Sequence, residues 1–240
     1  MDKNILEFKK LCVQFPIHIG TVCAVEDVTL TLRQGEVMGL VGESGCGKST
    51  LGFSILRLLR PPGKIASGQI LYHGEDIATM DSSTLLDLRG KRIAMIFQDP
   101  LTSLNPLFTI GEQFIETINA HEKNVSKKEA LERSSEILKQ LGIAPDRLHE
   151  YPHQMSGGMR QRIMIGLALI LDPDLLIADE PTTALDVIVE AQFLDLLNEL
   201  REKFNLTILL ISHNLGIVAQ MADRITVMYG GRIAETGRAM

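Results

Sequence analysis

The chain has 240 residues, the length of one large domain or of one domain with an attached lobe, at about 100 to 200 residues per domain. Its 24 Lys+Arg against 30 Asp+Glu give a net charge of −6 without a basic block, which argues against nucleic acid as a partner. The longest uncharged apolar run, 163–171, is far short of the roughly 18 to 20 residues of a membrane span, so no crossing of a bilayer is expected. The opening residues scatter charges and lack an apolar stretch, so they read as neither a secretory nor a transit signal. Cys12, Cys23 and Cys46 have no metal-like spacing and read as reduced thiols in cytosol.

In chain order, β-rich runs at 5–8, 25–32 and 36–41 predict strands, the third running into glycines. Residues 48–59 mix apolar and polar positions as a helix does, and Pro61-Pro62-Gly63 stops them. Strands are predicted at 69–72 and 92–97, the second ending in Gln98-Asp99-Pro100, where the proline disfavours α geometry at the residue before it. Ser126 with Glu129 three residues on predicts a capping box for a helix over 127–141, closed by Gly142, with Leu131, Leu138 and Leu141 on one face. A further helix is expected over 157–171. The runs 175–179, 207–211 and 225–228 are nearly all apolar, as strands of a sheet covered on both faces are. The pattern predicts an α/β fold: a mostly parallel core sheet, an antiparallel β element at its start, and a helical insertion around 110–165.

Gly42-Glu43-Ser44-Gly45-Cys46-Gly47-Lys48-Ser49 matches G-x-x-x-x-G-K-[ST], directly after a predicted strand and opening a helix. The glycines let successive N–H groups turn toward phosphates, Lys48 supplies a point charge to the β and γ oxygens, and Ser49 offers a hydroxyl to Mg²⁺. Further on, the apolar strand 175–179 ends in Asp179 and Glu180. Adjacent strand residues point to opposite faces, so the two carboxylates do different work: Asp179 beside the phosphate loop orders a metal shell, and Glu180 polarises an attacking water.

Gln98 and His213 both follow strands, at the carboxyl ends where doubly wound sheets bind ligands. Ser156-Gly157-Gly158 is a glycine pair at a helix start with Ser156 as N-cap, a second terminus suited to an anion. Other features read as ordinary. Cys46 is a small side chain tolerated within the loop. Pro152 interrupts the helical spacing of His149 and His153, so no zinc is expected there, and Arg160, Arg162 and Lys127-Lys128 read as solvated faces.

Taken in order, Gly42 to Ser49, Gln98, Ser156-Gly157-Gly158, Asp179-Glu180, Ala184-Leu185-Asp186 and His213 resemble the Walker A, Q-loop, signature, Walker B, D-loop and switch histidine of an ABC transporter ATP-binding subunit. The resemblance covers nearly the whole chain. Ile96-Phe97-Gln98-Asp99-Pro100-Leu101-Thr102-Ser103-Leu104-Asn105-Pro106, Ser156-Gly157-Gly158-Met159 and Glu180-Pro181-Thr182-Thr183-Ala184-Leu185-Asp186-Val187 are similar to the dipeptide, oligopeptide and nickel importer branch.

The resemblance implies a P-loop NTPase of ABC type: one ATPase domain over 1–240, with a RecA-like core of about 1–109 and 166–240 and a helical subdomain of about 110–165. It implies ATP and Mg²⁺ as cofactors, with Gly42, Glu43, Ser44, Gly45, Cys46, Gly47, Lys48, Ser49 and Thr50 around the phosphates. Ser49, Gln98 and Asp179 would serve the metal. Glu180 would be the base, with Lys48 and His213 at the γ-phosphate. Phe15 would stack on adenine, a role set against plain core packing.

A second ATPase subunit, identical or different, would pair head to tail, so that its Ser156, Gly157 and Gly158 complete the site and its Asp186 touches across. Two membrane permease subunits, contacted near Gln98 and Phe108, and indirectly an extracytoplasmic binding protein, would complete an importer on the cytoplasmic face of the membrane. Two departures stand out. Met155 and Met159 replace the outer residues of Leu-Ser-Gly-Gly-Gln, and a thioether does not reproduce an amide's hydrogen bonds. Relatives of this branch usually continue past this end, often with a cysteine cluster for an iron–sulfur centre, so a truncated chain or a shorter member is implied. A soluble ABC-type ATPase of translation or DNA repair is the alternative, but the tandem units, zinc insertions or coiled coils usual there are not seen. A simple P-loop kinase or GTPase leaves the signature and switch histidine without a role.

Overall fold

In the computed structural model, which describes residues 3–98, 104–182 and 187–239, the chain opens as a long hairpin of β1 (Asn4–Ile17) and β2 (Gly20–Arg33). Both strands outrun the segments 5–8 and 25–32 predicted for them. The pairing survives past Lys9 and Lys10 through register shifts between Phe8 and Leu11 and again beyond, with Lys10 at φ +48°. Such bulges break the two-residue alternation by which a strand is recognised. β4 (Lys64–Tyr72) pairs antiparallel with the other edge of β1, and β5 (Glu75–Asp76) with β4, giving a four-stranded sheet in the order β2-β1-β4-β5.

The second sheet is the predicted parallel core. It contains β3 (Val37–Val41), β6 (Ile93–Ile96), β7 (Leu175–Asp179), β8 (Thr207–Ser212), β9 (Arg224–Tyr229) and β10 (Arg232–Arg238), in the order β10-β9-β3-β8-β7-β6. The pairs β9-β3, β3-β8, β8-β7 and β7-β6 are parallel, and β10 is antiparallel to β9. Every residue of β3, β7 and β8 is buried.

Strand alternation divides these apolar residues between two cores. Leu176, Ala178, Ile208 and Leu210 join Phe114, Ile163 and Leu197 on one face. Leu175, Ile177, Leu209 and Ile211 join Phe8, Leu11, Leu51 and Ile55 on the other. The antiparallel sheet and the helices at 48–55 and 82–88 therefore cover one face, and the helices from residue 110 onward the opposite one. Truncating a side chain as buried as Phe114 costs about 3–5 kcal/mol, so neither cover is optional.

The helices are α1 (Lys48–Ile55), α2 (Ser82–Leu88), α3 (Ile110–His121), α4 (Lys127–Gln140), α5 (Gly157–Leu169), α6 (Val187–Phe204) and α7 (Leu215–Met221). Helix α1 stops short of the predicted residue 59, ahead of the prolines. Arg57 takes φ +50°, and N–H groups of Arg57 and Leu58 donate to Ser54 O at 3.1 Å and Phe53 O at 2.9 Å. That is a Schellman ending built on arginine where glycine is usual.

Ser126 Oγ caps α4 by accepting from the Glu129 N–H at 3.2 Å. A fully reciprocal box lies one helix earlier, where Glu112 N–H donates to Thr109 Oγ1 at 3.3 Å and Thr109 N–H to Glu112 Oε2 at 2.8 Å. Arg162 corrects the expectation of a solvated face: half-buried, its Nη1 donates to Leu141 O at 3.0 Å and closes the end of α4. Among the described residues no helix is long and apolar enough to cross a membrane.

Candidate functional site

Between β3 and α1 the loop from Gly42 to Gly47 wraps the first turn of the helix. Gly47, the N-cap, has φ +106°, and a Cβ there would lie 2.2 Å from Ala24 O. Gly45 turns at φ +79°. Both backbone geometries belong to glycine. Among the described residues no side chain caps α1, so its leading N–H groups and helix dipole are left to face an anion. Lys48, 4% exposed, lies against the loop and donates from Nζ to Gly42 O and Glu43 O, both at 2.9 Å. Cys46 is buried, with Sγ 3.9 Å from the same ammonium. Glu43 and Ser44 are exposed on the loop's outer side.

Parity along β7 decides where its acidic end points. Leu175 and Ile177 face the core that holds α1, so Asp179 faces α1 as well, and Ser49 Oγ donates to Asp179 Oδ1 at 2.9 Å. Burial raises the Asp179 pKa, the Ser49 bond and Lys48 pull it down, and the neighbouring Glu180 pushes it up again, for a net rise. A carboxylate and a hydroxyl on a buried floor are hard oxygen donors that suit Mg²⁺, and a cation there relieves the charge that burial penalises.

Glu180, one residue on, leaves the strand with φ +46° while its N–H donates to Ile211 O of β8 at 2.9 Å. The left-handed turn carries its carboxylate to two polar groups from flanking strands. Gln98, after β6, donates from Nε2 to Glu180 Oε2 at 3.2 Å, and His213 Nδ1, after β8, is 3.3 Å from the same oxygen. The strand order β8-β7-β6 makes these three neighbours. Glu180 is only 14% exposed at its side chain.

Phe15, half-buried on β1, both packs against the core and walls a cavity of ≈ 450 Å³ with Thr50, Phe53, Arg60 and Phe97. Ser156-Gly157-Gly158 stands apart from the cluster of Lys48, Ser49, Asp179, Glu180, Gln98 and His213. Ser156 Oγ accepts from Met159 N–H at 3.3 Å as the N-cap of α5, Ser156 and Gly157 are exposed, and Met155 is buried in the helical core. Among the described residues nothing lies within 4 Å of a Cβ at Gly157. Asp186, with Ala184 and Leu185, and residues 99–103 lie outside the described residues.

Sequence reasoning missed Gln161. Buried in α5, it donates from Nε2 to Pro181 O, beside Glu180. Its spacing of four residues from Gly157 was the available signal, and a glutamine inside a helix carries no pattern of its own.

The family described as ABC transporter matches residues 25–183. The chain is 48% identical over 239 residues to the dipeptide transport ATP-binding protein DppD of Bacillus subtilis, covering 98% of this chain and 71% of that protein. It is 49% identical over 237 residues to the oligopeptide transport ATP-binding protein OppD of Salmonella typhimurium, covering 98% and 70%. With the OppD of Bacillus subtilis, at 47% identity, it covers 66% of that protein's length.

Among solved structures, it is similar to the dimeric, post-hydrolysis ATP-binding cassette MJ0796 bound to ADP and Pi, at 26% identity and TM-score 0.85, covering 98% and 99% of the two chains. It is also similar to cbiO1 of Clostridium perfringens, part of the ABC transporter complex cbiONQ, at 28% identity and TM-score 0.84, covering 100% and 90%.

Proposed function

The chain belongs to the ABC transporter family as an ATP-binding ATPase, and from that premise we propose that it is the motor subunit of an importer for dipeptides or oligopeptides. The observation that carries the reading is Glu180, held by Gln98 and His213 at the end of the strand that presents Asp179 to the phosphate loop.

In this reading Gly42 to Ser49 and Thr50 bind the phosphates, Lys48 meets the β and γ oxygens, and Phe15 lies against the adenine. Ser49 and Asp179, with Gln98, hold Mg²⁺, which supplies charge neutralisation at the phosphate oxygens. Glu180 takes the proton of the attacking water. His213 and Gln98 share one carboxylate oxygen, which fixes the direction of the carboxylate. A second ATPase subunit binds head to tail, placing its Ser156, Gly157 and Gly158 on the γ-phosphate and its Asp186 across the interface.

The core of about 1–109 and 166–240 carries the nucleotide, and the helical subdomain of about 110–165 transmits closure. Exposed Phe97, Leu107 and Phe108 suit contact with two membrane permeases at the cytoplasmic face, fed by an extracytoplasmic binding protein. Glu180→Gln tests the reading. It should keep ATP affinity, slow hydrolysis by roughly 10² to 10⁴, and elute as an ATP-dependent dimer in gel filtration. Near-native turnover would refute the role of the base.

A further inference from the structure

Gln161 makes a contact that packing does not require. It lies four residues after Gly157, 1% exposed, among the apolar residues of α5. Its Nε2 donates to Pro181 O. A carbonyl only accepts, so the amide's orientation is fixed and Oε1 points away from it. Among the described residues that buried Oε1 has no hydrogen-bond partner. An unsatisfied buried acceptor keeps its whole desolvation penalty, and an unbranched apolar side chain of similar length would fill the space without one. If residue 161 served packing alone, methionine would suit it better than glutamine.

What the amide holds explains the penalty. Pro181 follows Glu180, whose φ of +46° is a left-handed backbone that a non-glycine residue keeps only where its surroundings over-determine it. Upstream, the Glu180 N–H is tied to Ile211 O at 2.9 Å. Downstream, the Pro181 carbonyl is tied by Gln161. One tether comes from the neighbouring strand and the other from the helix that starts at Ser156.

We propose that Gln161 is a positioning residue for hydrolysis, which holds the left-handed turn at Glu180 and links that carboxylate to the glycine step at the start of α5. The proposal rests on the reading of Glu180 as base and of a head-to-tail pair. In such a pair the glycine step of one protomer lies on its partner's nucleotide while its Glu180 serves its own. Gln161 then joins the two sites through a single helical turn, so seating on one nucleotide sets the base at the other.

The test is Gln161→Met in the full chain, with melting temperature, ATP affinity and steady-state hydrolysis measured together. The expected result is a Tm equal to or above that of the parent, ATP affinity and KM within about twofold, and kcat lower by roughly tenfold or more, about 1.4 kcal/mol. A kcat within twofold of the parent overturns the proposal, as does a parallel loss of Tm, affinity and kcat. Should Gln161→Met fail to fold, Gln161→Asn decides on the same criteria, since it keeps the amide on a stem one carbon too short. Glu180→Gln is measured alongside. If it too hydrolyses at the parental rate, the reading of the base has failed; if it is slow while Gln161→Met is normal, the positioning role has failed by itself.

Discussion

Two helices begin with glycine and an N-terminus suited to an anion, yet their surroundings are opposite. At α1, a Cβ on Gly47 would collide with Ala24 O at 2.2 Å and one on Gly42 with Met228 O at 2.1 Å, and Lys48 is nearly buried. At α5, Ser156 caps the helix, and among the described residues Gly157 has no atom within 4 Å of its would-be Cβ. The first set of glycines is required by the chain's own backbone, because β2 and β9 close around it. In the second, a Cβ on Gly158 would meet only Val189 Cγ1, at an ordinary 3.4 Å, among the described residues. That leaves open space at Gly157, as the proposed role in a partner's ATP site requires.

The contrast predicts graded outcomes. Gly47→Ala should have the largest effect, combining about 1–3 kcal/mol of left-handed strain with a backbone collision. Thermal melts should show the loss of stability, and equilibrium binding should show ATP affinity at least about tenfold weaker. Gly157→Asp should leave ATP binding by the monomer intact and cut dimer-dependent hydrolysis by about 10² or more, because a like charge facing phosphate costs several kcal/mol. An active variant in a turnover assay would place the glycine step outside the site.

Asp179→Asn addresses the floor of the first site. The folded pKa of Asp179 is raised, so between the unfolded and folded values the native state holds the extra proton, and stability falls as pH rises through that window. Without Mg²⁺, the asparagine variant should melt above the parent at pH 8, with the gap closing as pH drops toward 4. Gly157→Ala, the mildest change, should leave stability within about 0.5 kcal/mol in a denaturant titration.

What the sequence disclosed was mostly local. The phosphate loop, the paired carboxylates and the cap at Ser156 are each written in consecutive residues, and their positions follow from strand parity or helix capping. The convergence of Gln98 and His213 on one oxygen of Glu180 was not legible, because it depends on β6, β7 and β8 lying side by side, which no short segment states. The length of the hairpin was hidden by Lys9 and Lys10, where bulges break the alternation. The early end of α1 was hidden by Arg57, which takes a conformation that arginine seldom adopts. Gln161 escaped notice because its meaning lies in Pro181, twenty residues away.

The completely buried strands β3, β7 and β8 also set a time scale. Amide hydrogens in strands packed on both faces exchange with solvent only when the whole domain opens, whereas uncrowded termini exchange through local fluctuation. Asp179 ends one of these slowest-opening strands, and the phosphate loop, Glu180 and His213 follow directly from them. The start of α5, with Ser156 and Gly157 exposed, has no such two-sided cover, so its amides are expected to exchange faster.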